Sequence, residues 1–242
     1  MALFRKSPQF IFPGPRDRVA VFGATGSGKS VFTIWLFSEC ADFDKKPWVF
    51  VDYKGEDIIT ELLKLELATL VSVEDNPPKR PGVYVVKPQP SQTDLVAGWI
   101  WKVWERGKCG LVFDELYMVP EFKGAAGTGG PLKSILTQGR SKEIPVWGLA
   151  QRPVDINLHM ITEAQFIAEF YLKRREDRQR VRSYIPDDMP IFADDKRLPQ
   201  YYCRWYDDKQ NLALYLKPAP NPKEIIDTIE NRVHAMREKK RI

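Results

Sequence analysis

Two short stretches hold side chains whose types and spacing could do chemistry. In "GATGSGKS", Gly23, Gly28, Lys29 and Ser30 fit the G-x-x-x-x-G-K-[ST] spacing without a gap. A chain of this length meets that spacing by chance on the order of one time in a hundred. Glycines let backbone N–H groups turn inward around phosphates, and a following helix adds the partial positive charge of its N-terminus. The run Gly23, Ala24, Thr25, Gly26, Ser27, Gly28, Lys29, Ser30 and Val31 is therefore the expected ATP cradle. Lys29 would reach the β- and γ-phosphates, and the Ser30 hydroxyl would ligate Mg²⁺. The second stretch is "LVFDEL", an apolar run ending in Asp114-Glu115. Asp114 would join Ser30 in holding Mg²⁺, and Glu115 would polarise the attacking water, the two further groups a phosphate-transfer site needs.

Those residues need elements to position them. Val19 to Phe22 reads as a buried strand before the glycine loop, and "VFTIWLFSEC" (Val31 to Cys40) as a buried helix after it. Further strands are expected at Trp48–Asp52, at "VYVVKP" (Val83 to Pro88), at "CGLVFDEL", at "IPVWGLAQRP" and at "AQFIAEFYL". Helices are expected near Ile58–Leu65, over "SQTDLVAGWIWKVWERG" behind a Ser91 or Thr93 cap, and over "LKSILTQGR". Strands alternating with helices predict an α/β, P-loop NTPase fold: a mainly parallel sheet with helices on both faces. Ligands of such sheets sit at the carboxyl ends of the strands, which puts Gln151, closing "VWGLAQ", beside the phosphates.

Beyond Arg182 the pattern changes. "QYYCRWYDDKQNLALYLK" holds two β-prone runs about Asp207–Gln210, a hairpin signal, and "NPKEIIDTIENRVHAMREKKRI" places Ile225, Ile226, Ile229 and Val233 at helical spacing. The expected organisation is an N-terminal arm (1–16), a core (17–182), and a C-terminal extension of hairpin and helix (183–242) packed on that core.

Composition sets outer bounds. The chain has 242 residues with 43% hydrophobic and 29% charged, ordinary for a globular protein, and no apolar run approaches a membrane span. The N-terminus lacks an apolar signal-peptide region. Cys40, Cys109 and Cys203 are far apart, which argues for reduced thiols and against structural zinc, and the two histidines, His159 and His234, read as incidental. A net charge of +5 is compatible with nucleic acid. Much of the excess lies in "KRREDRQRVR" (Lys173 to Arg182) and in "REKKRI" (Arg237 to Ile242), each equally readable as a solvated helix face. The glycine-rich "FKGAAGTGGP", which includes Lys123, follows Asp114-Glu115; it is equally readable as a plain surface connection or as a loop lining a ring's channel, where it would contact phosphates without reading bases.

"VDYKGED", "VFDEL" and "GRSKEIPVWGLAQRPVD" together resemble the FtsK–HerA superfamily of P-loop DNA-pumping ATPases, over roughly Val19 to Arg178. The resemblance implies Gln151 as a γ-phosphate sensor and Arg140 as an arginine finger reaching a neighbouring subunit's site. "LKRREDR" is similar to a K-x-D-x-R stretch of the family, making Arg178 a second candidate finger. Tyr53, Ala150 and Glu143 stand where the family usually has proline, Thr or Ser, and glycine. A chain with little beyond the motor resembles the genome-packaging ATPases of tailless, membrane-containing icosahedral viruses. That resemblance implies an ATP- and Mg²⁺-dependent translocase of double-stranded DNA, acting as a ring, expected to be a hexamer. Capsid vertex proteins would be further partners, and the location would be the host cytoplasm or a packaging vertex of the virion. An ATPase driving phage morphogenesis or protein export, a cellular DNA-processing motor of the HerA/FtsK type, and a RecA-like recombination protein are the alternatives. ATP turnover stimulated by duplex DNA separates a DNA motor from an assembly or export ATPase.

Overall fold

The computed structural model describes residues 9–119, 130–193 and 197–239. Its centre is a nine-stranded sheet in the order β3-β4-β2-β5-β6-β1-β7-β8-β9. Seven strands are parallel: β1 (Val19–Phe22), β2 (Pro47–Val51), β3 (Thr69–Leu70), β4 (Gly82–Val86), β5 (Gly110–Phe113), β6 (Val146–Ala150) and β7 (Phe166–Glu169). A hairpin of β8 (Cys203–Asp207) and β9 (Leu212–Leu216) continues the same sheet antiparallel to β7.

The helices are α1 (Lys29–Cys40), α2 (Asp57–Lys64), α3 (Thr93–Arg106), α4 (Pro131–Gln138), α5 (His159–Thr162), α6 (Arg175–Arg182), α7 (Pro190–Ala193) and α8 (Pro222–Lys239). Because side chains alternate along a strand, the buried strands feed two cores. Val19 and Val21 of β1 pack with α1, α2 and α8, whereas Ala20 and Phe22 pack on the side of α3, α4 and α5. On the first side Phe37 meets Phe43, Trp48 and Phe50, and Trp48 meets Trp147.

The C-terminal helix is bound to the loop-following helix by polar contacts as well as apolar ones. Ile225, Ile229 and Val233 of α8 are buried, while Ile226 stays half-buried. Arg232 donates to the carbonyls of Ser38 (2.6 Å) and Ala41 (2.5 Å) at the end of α1, and stacks over Phe43 at 4.3 Å. A guanidinium there satisfies carbonyls that the helix itself cannot and lies at the negative end of its dipole.

Some local expectations shift. Asp52 leaves β2 and opens the next turn, where its Oδ1 accepts the N–H groups of Gly55 (2.8 Å) and Glu56 (3.1 Å). Neither Ser91 nor Thr93 caps α3; Pro90–Gln92 form a 3₁₀ turn and Thr93 is already helical. The β8–β9 turn is centred one residue later than expected, because Asp207 remains in β8 and its carboxylate takes the N–H of Lys209 and Gln210. The charged run from Lys173 does form a helix, α6, but Asp177 and Val181 on it are buried. The segment with Lys123 and Gly124–Gly129 lies outside the described residues.

Candidate nucleotide site

The site is assembled where four neighbouring parallel strands, β2, β5, β6 and β1, end side by side. The loop after β1 has Gly26 and Gly28 at φ of 72° and 100°, backbone angles that favour glycine. At Gly23 a Cβ would lie 2.6 Å from both Phe170 Cβ and Ser27 Oγ, so only glycine lets the loop pass β7. The first bond of α1 runs from Phe32 N–H to Gly28 C=O at 2.9 Å. The N–H groups of Lys29, Ser30 and Val31 thus have no intrahelical partner and form the N-terminal anion cradle. Lys29 Nζ donates across the loop to the Ala24 carbonyl at 3.0 Å. Burial, aided by the charge of Lys54, holds the Lys29 ammonium down to about 8, so a polyphosphate would meet a cation short of counter-charge.

The turn after β2 closes the other side. Both oxygens of Asp114 accept backbone N–H groups from that turn, Tyr53 at 3.0 Å and Lys54 at 3.1 Å. Burial pushes the Asp114 carboxyl up to about 7 even though these amide bonds pull it down. Lys54 Nζ lies 2.5 Å from Glu115 Oε2, and Gln151 Nε2 donates to the same oxygen at 3.1 Å. Gln151 Oε1 accepts the Thr25 hydroxyl at 2.7 Å, joining β6 to the glycine loop. The Ser30 hydroxyl donates to Glu56 Oε1 at 2.8 Å.

A cleft of about 320 Å³ runs between these groups, with Lys29, Ser30, Lys54, Glu56 and Gln151 on its walls. An apolar pocket of similar size adjoins it at Gly28, Val31, Phe32 and Tyr201, closed by Pro218–Pro222. A polar cleft carrying two lysines beside an apolar pocket has the complementarity of a nucleotide: phosphates in the first, base in the second.

Mg²⁺ prefers hard oxygen ligands and keeps several waters and phosphate oxygens, so one or two protein oxygens suffice. The Ser30 hydroxyl, the Glu56 carboxylate beside it and the remaining lone pairs of Asp114 are such donors, and the site fits the ion on that chemistry.

Thr25, Lys29, Ser30, Asp114, Glu115 and Gln151 therefore converge. Arg140 does not join them. It is exposed in the turn that precedes β6, at the opposite edge of the sheet, with Arg18 near enough to feel its charge. Arg178 stays near the end of β7, where it donates to the carbonyls of Leu172 (2.9 Å) and Lys173 (3.2 Å). Sequence reasoning missed Lys54, Glu56 and Tyr201 as wall residues. "YKGE" was visible as a turn, but its place beside Asp114 follows from β2 and β5 being neighbours, which spacing along the chain does not reveal. Also unforeseen is the Arg152–Asp177 pair at 3.0 Å, which fastens the end of β6 to α6.

No protein-family model matches the chain. It is 32% identical over 220 residues to the DNA packaging ATPase P9 of Enterobacteria phage PRD1, covering 88% of this chain and 92% of the relative. The chain belongs to the family of this phage packaging ATPase. Among solved structures, the genome packaging NTPase B204 of Sulfolobus turreted icosahedral virus 2 in complex with AMPPCP superimposes with a TM-score of 0.64 at 21% identity. That match covers 85% of this chain and all of that one. B204, the DNA-packaging ATPase of Sulfolobus turreted icosahedral virus, gives a TM-score of 0.63 at 23% identity, covering 85% of this chain and 99% of that one. The packaging-ATPase fold is thus the fold of this chain, and the resemblance read from its motifs holds. No helix among the described residues is long and apolar enough to cross a membrane.

Proposed function

We infer that this chain is an ATP-hydrolysing motor that drives double-stranded DNA into a preformed viral capsid. The observation that carries the reading is near full-length similarity to a phage packaging ATPase in a chain whose phosphate-cradling loop, acidic pair and Gln151 converge on one cleft. Lys29 and the N–H groups of residues 23–31 would hold the triphosphate, and the apolar pocket at Tyr201 its base. Ser30 and Asp114 would hold Mg²⁺, with Glu56 as an added donor; the ion neutralises charge on the phosphates. Glu115 orients a water whose oxygen bonds to the γ-phosphorus while the bond to the β-bridging oxygen breaks. ADP and inorganic phosphate leave, and the water's proton passes toward Glu115. Gln151, held between Thr25 and Glu115, would sense whether the γ-phosphate is present.

Arg140 is exposed at the edge of the sheet opposite its own cleft, which supports a role in a neighbouring subunit's site and hence a closed oligomer, for which a hexamer is our reading. Arg178, tied to two carbonyls, is the lesser candidate. We further read 183–242 as an extension of the core motor rather than a separate unit, and capsid vertex proteins as its docking partners. The test is ATP turnover by the purified chain with and without duplex DNA of unrelated sequences. The motor reading expects stimulation by each DNA and a steep loss of it between low and moderate salt, as phosphate contacts require. Turnover indifferent to DNA would favour an assembly ATPase.

A further inference from the structure

Lys54 stands between two anionic positions. Its ammonium pairs with Glu115, a side chain only 1% exposed, while its own side chain is 32% exposed and lines the phosphate cleft. Glu115 Oε2 takes both Lys54 and Gln151, and its Oε1 is buried with no hydrogen-bond partner. Lys54 Nζ also lies 3.4 Å from the Asp114 carbonyl. Across the cleft Lys29 already feels the charge of Lys54, so both ammonium groups face the same space. A carboxylate oxygen held by an ammonium has less of its lone pair to offer a water proton. A lysine on a flexible stem, with three donors, can change partner without moving its backbone.

We propose that Lys54 is a nucleotide-operated latch on Glu115. In the nucleotide-free chain it restrains the carboxylate. A terminal phosphate in the cleft draws the ammonium across, and Glu115, still held by Gln151, becomes free to orient water. ADP lacks that phosphate and leaves the latch shut, which makes Lys54 the residue that distinguishes the two nucleotides. The inference rests on the nucleotide-site reading above, and Lys54 acts as a positioning residue for Glu115.

The test is equilibrium binding of ADP and of the non-hydrolysable analogue AMPPCP to the full chain, with Mg²⁺, for the parent, Lys54→Met, Lys54→Arg, Glu115→Gln and the Lys54→Met/Glu115→Gln pair. Lys54→Met is expected to weaken AMPPCP binding by about ten- to a hundredfold, the size of one charge-assisted bond, and to leave ADP binding unchanged. Lys54→Arg should restore the preference for AMPPCP. Glu115→Gln removes the competing anion, so it should bind AMPPCP about tenfold tighter than the parent, and the double variant should lose that gain. A static, purely structural pair would weaken both nucleotides equally. Equal losses in Lys54→Met, a Glu115→Gln protein no tighter than the parent, or a gain that survives in the double variant would each overturn the latch. Thermal unfolding checks each variant; should Lys54→Met not fold, Lys54→Gln, alone and paired with Glu115→Gln, takes its place with the same expected and overturning outcomes. A parent that binds neither nucleotide overturns the site reading itself, whereas a parent that binds both without these differences overturns the latch alone.

Discussion

The two edges of the sheet use charge in opposite ways. At the carboxyl edge Asp52, Asp114 and Glu115 are nearly or fully buried: Asp52 is held by amides of its own turn, and Asp114 and Glu115 by other strands' loops, through amides of the β2 turn, the Lys54 ammonium and the Gln151 amide. Burying that much charge is unfavourable unless each group is bonded, and such clusters are retained where chemistry needs them. At the amino edge the ions pair off around the strand starts, Arg16 with Glu143 and Lys46 with Asp42, and Lys46 also donates to the Pro15 carbonyl at 2.6 Å. Arg140 is exposed among them; its carbonyl accepts the Glu143 N–H at 3.2 Å, while its side chain makes no hydrogen bond or ion pair to another described residue. One edge is organised around a ligand. The other leaves the Arg140 cation exposed. A strand of four residues separates them, on the order of 13 Å, too far for an arginine to serve both.

The largest effect that could break this contrast is at Arg140. If the amino edge completes a neighbour's site, Arg140→Ala should lower turnover by about 10³- to 10⁵-fold while ATP binding stays normal. Mixing it with Lys29→Ala, which should not bind ATP, is expected to recover activity, because some mixed interfaces join an intact cleft to an intact arginine. Absence of recovery from subunits shown to co-assemble would leave the amino edge without a catalytic part.

Next comes Glu115. Glu115→Gln should cut turnover by about 10²- to 10⁴-fold and still bind nucleotide, since Asp114 and the glycine loop are unchanged. Rapid hydrolysis by that protein, read as phosphate release, would mean the carboxyl edge holds its buried charge for some other reason.

The smallest effect sharpens the contrast from the amino side. Arg232 touches the end of α1 far from the cleft, so Arg232→Ala should cost about 2 kcal/mol of stability, roughly 5 °C in Tm, through lost bonds to the helix carbonyls. Nucleotide affinity should stay at the parent's value. Calorimetry and a binding isotherm on the same protein check both halves.

Much of the carboxyl edge was legible because its signals are local. The glycine loop, the Asp114-Glu115 pair after an apolar strand and Gln151 at the end of β6 each announce themselves within a few residues. The strands were legible for the same reason, except β3, whose two exposed residues carry no pattern. What the chain order conceals is adjacency. Lys54 and Glu56 belong to the site because β2 lies beside β5, and Tyr201 because the segment before β8 returns to cover Gly28. The cap of α3 was misplaced because Pro90 starts a 3₁₀ turn ahead of the helix, and side-chain propensity at Ser91 and Thr93 does not register that turn. Composition also understated α6: a run dominated by charge still turns one carboxylate, Asp177, inward to receive Arg152.

The grip of α8 on α1 has a mechanical meaning. Phosphate would bind at the first turn of α1, and Arg232 holds its last turn, so the two helices cannot hinge independently without breaking those carbonyl bonds. Eighteen residues of α8 make a rod of roughly 27 Å. A tilt of α1 of about 10° would be carried along that rod as a displacement of a few ångströms at its C-terminal end, where Arg237 donates to the Glu66 carbonyl. The segment after α2 that Arg237 holds is therefore joined by one stiff linkage, rather than by a loop, to the loading state of the cleft.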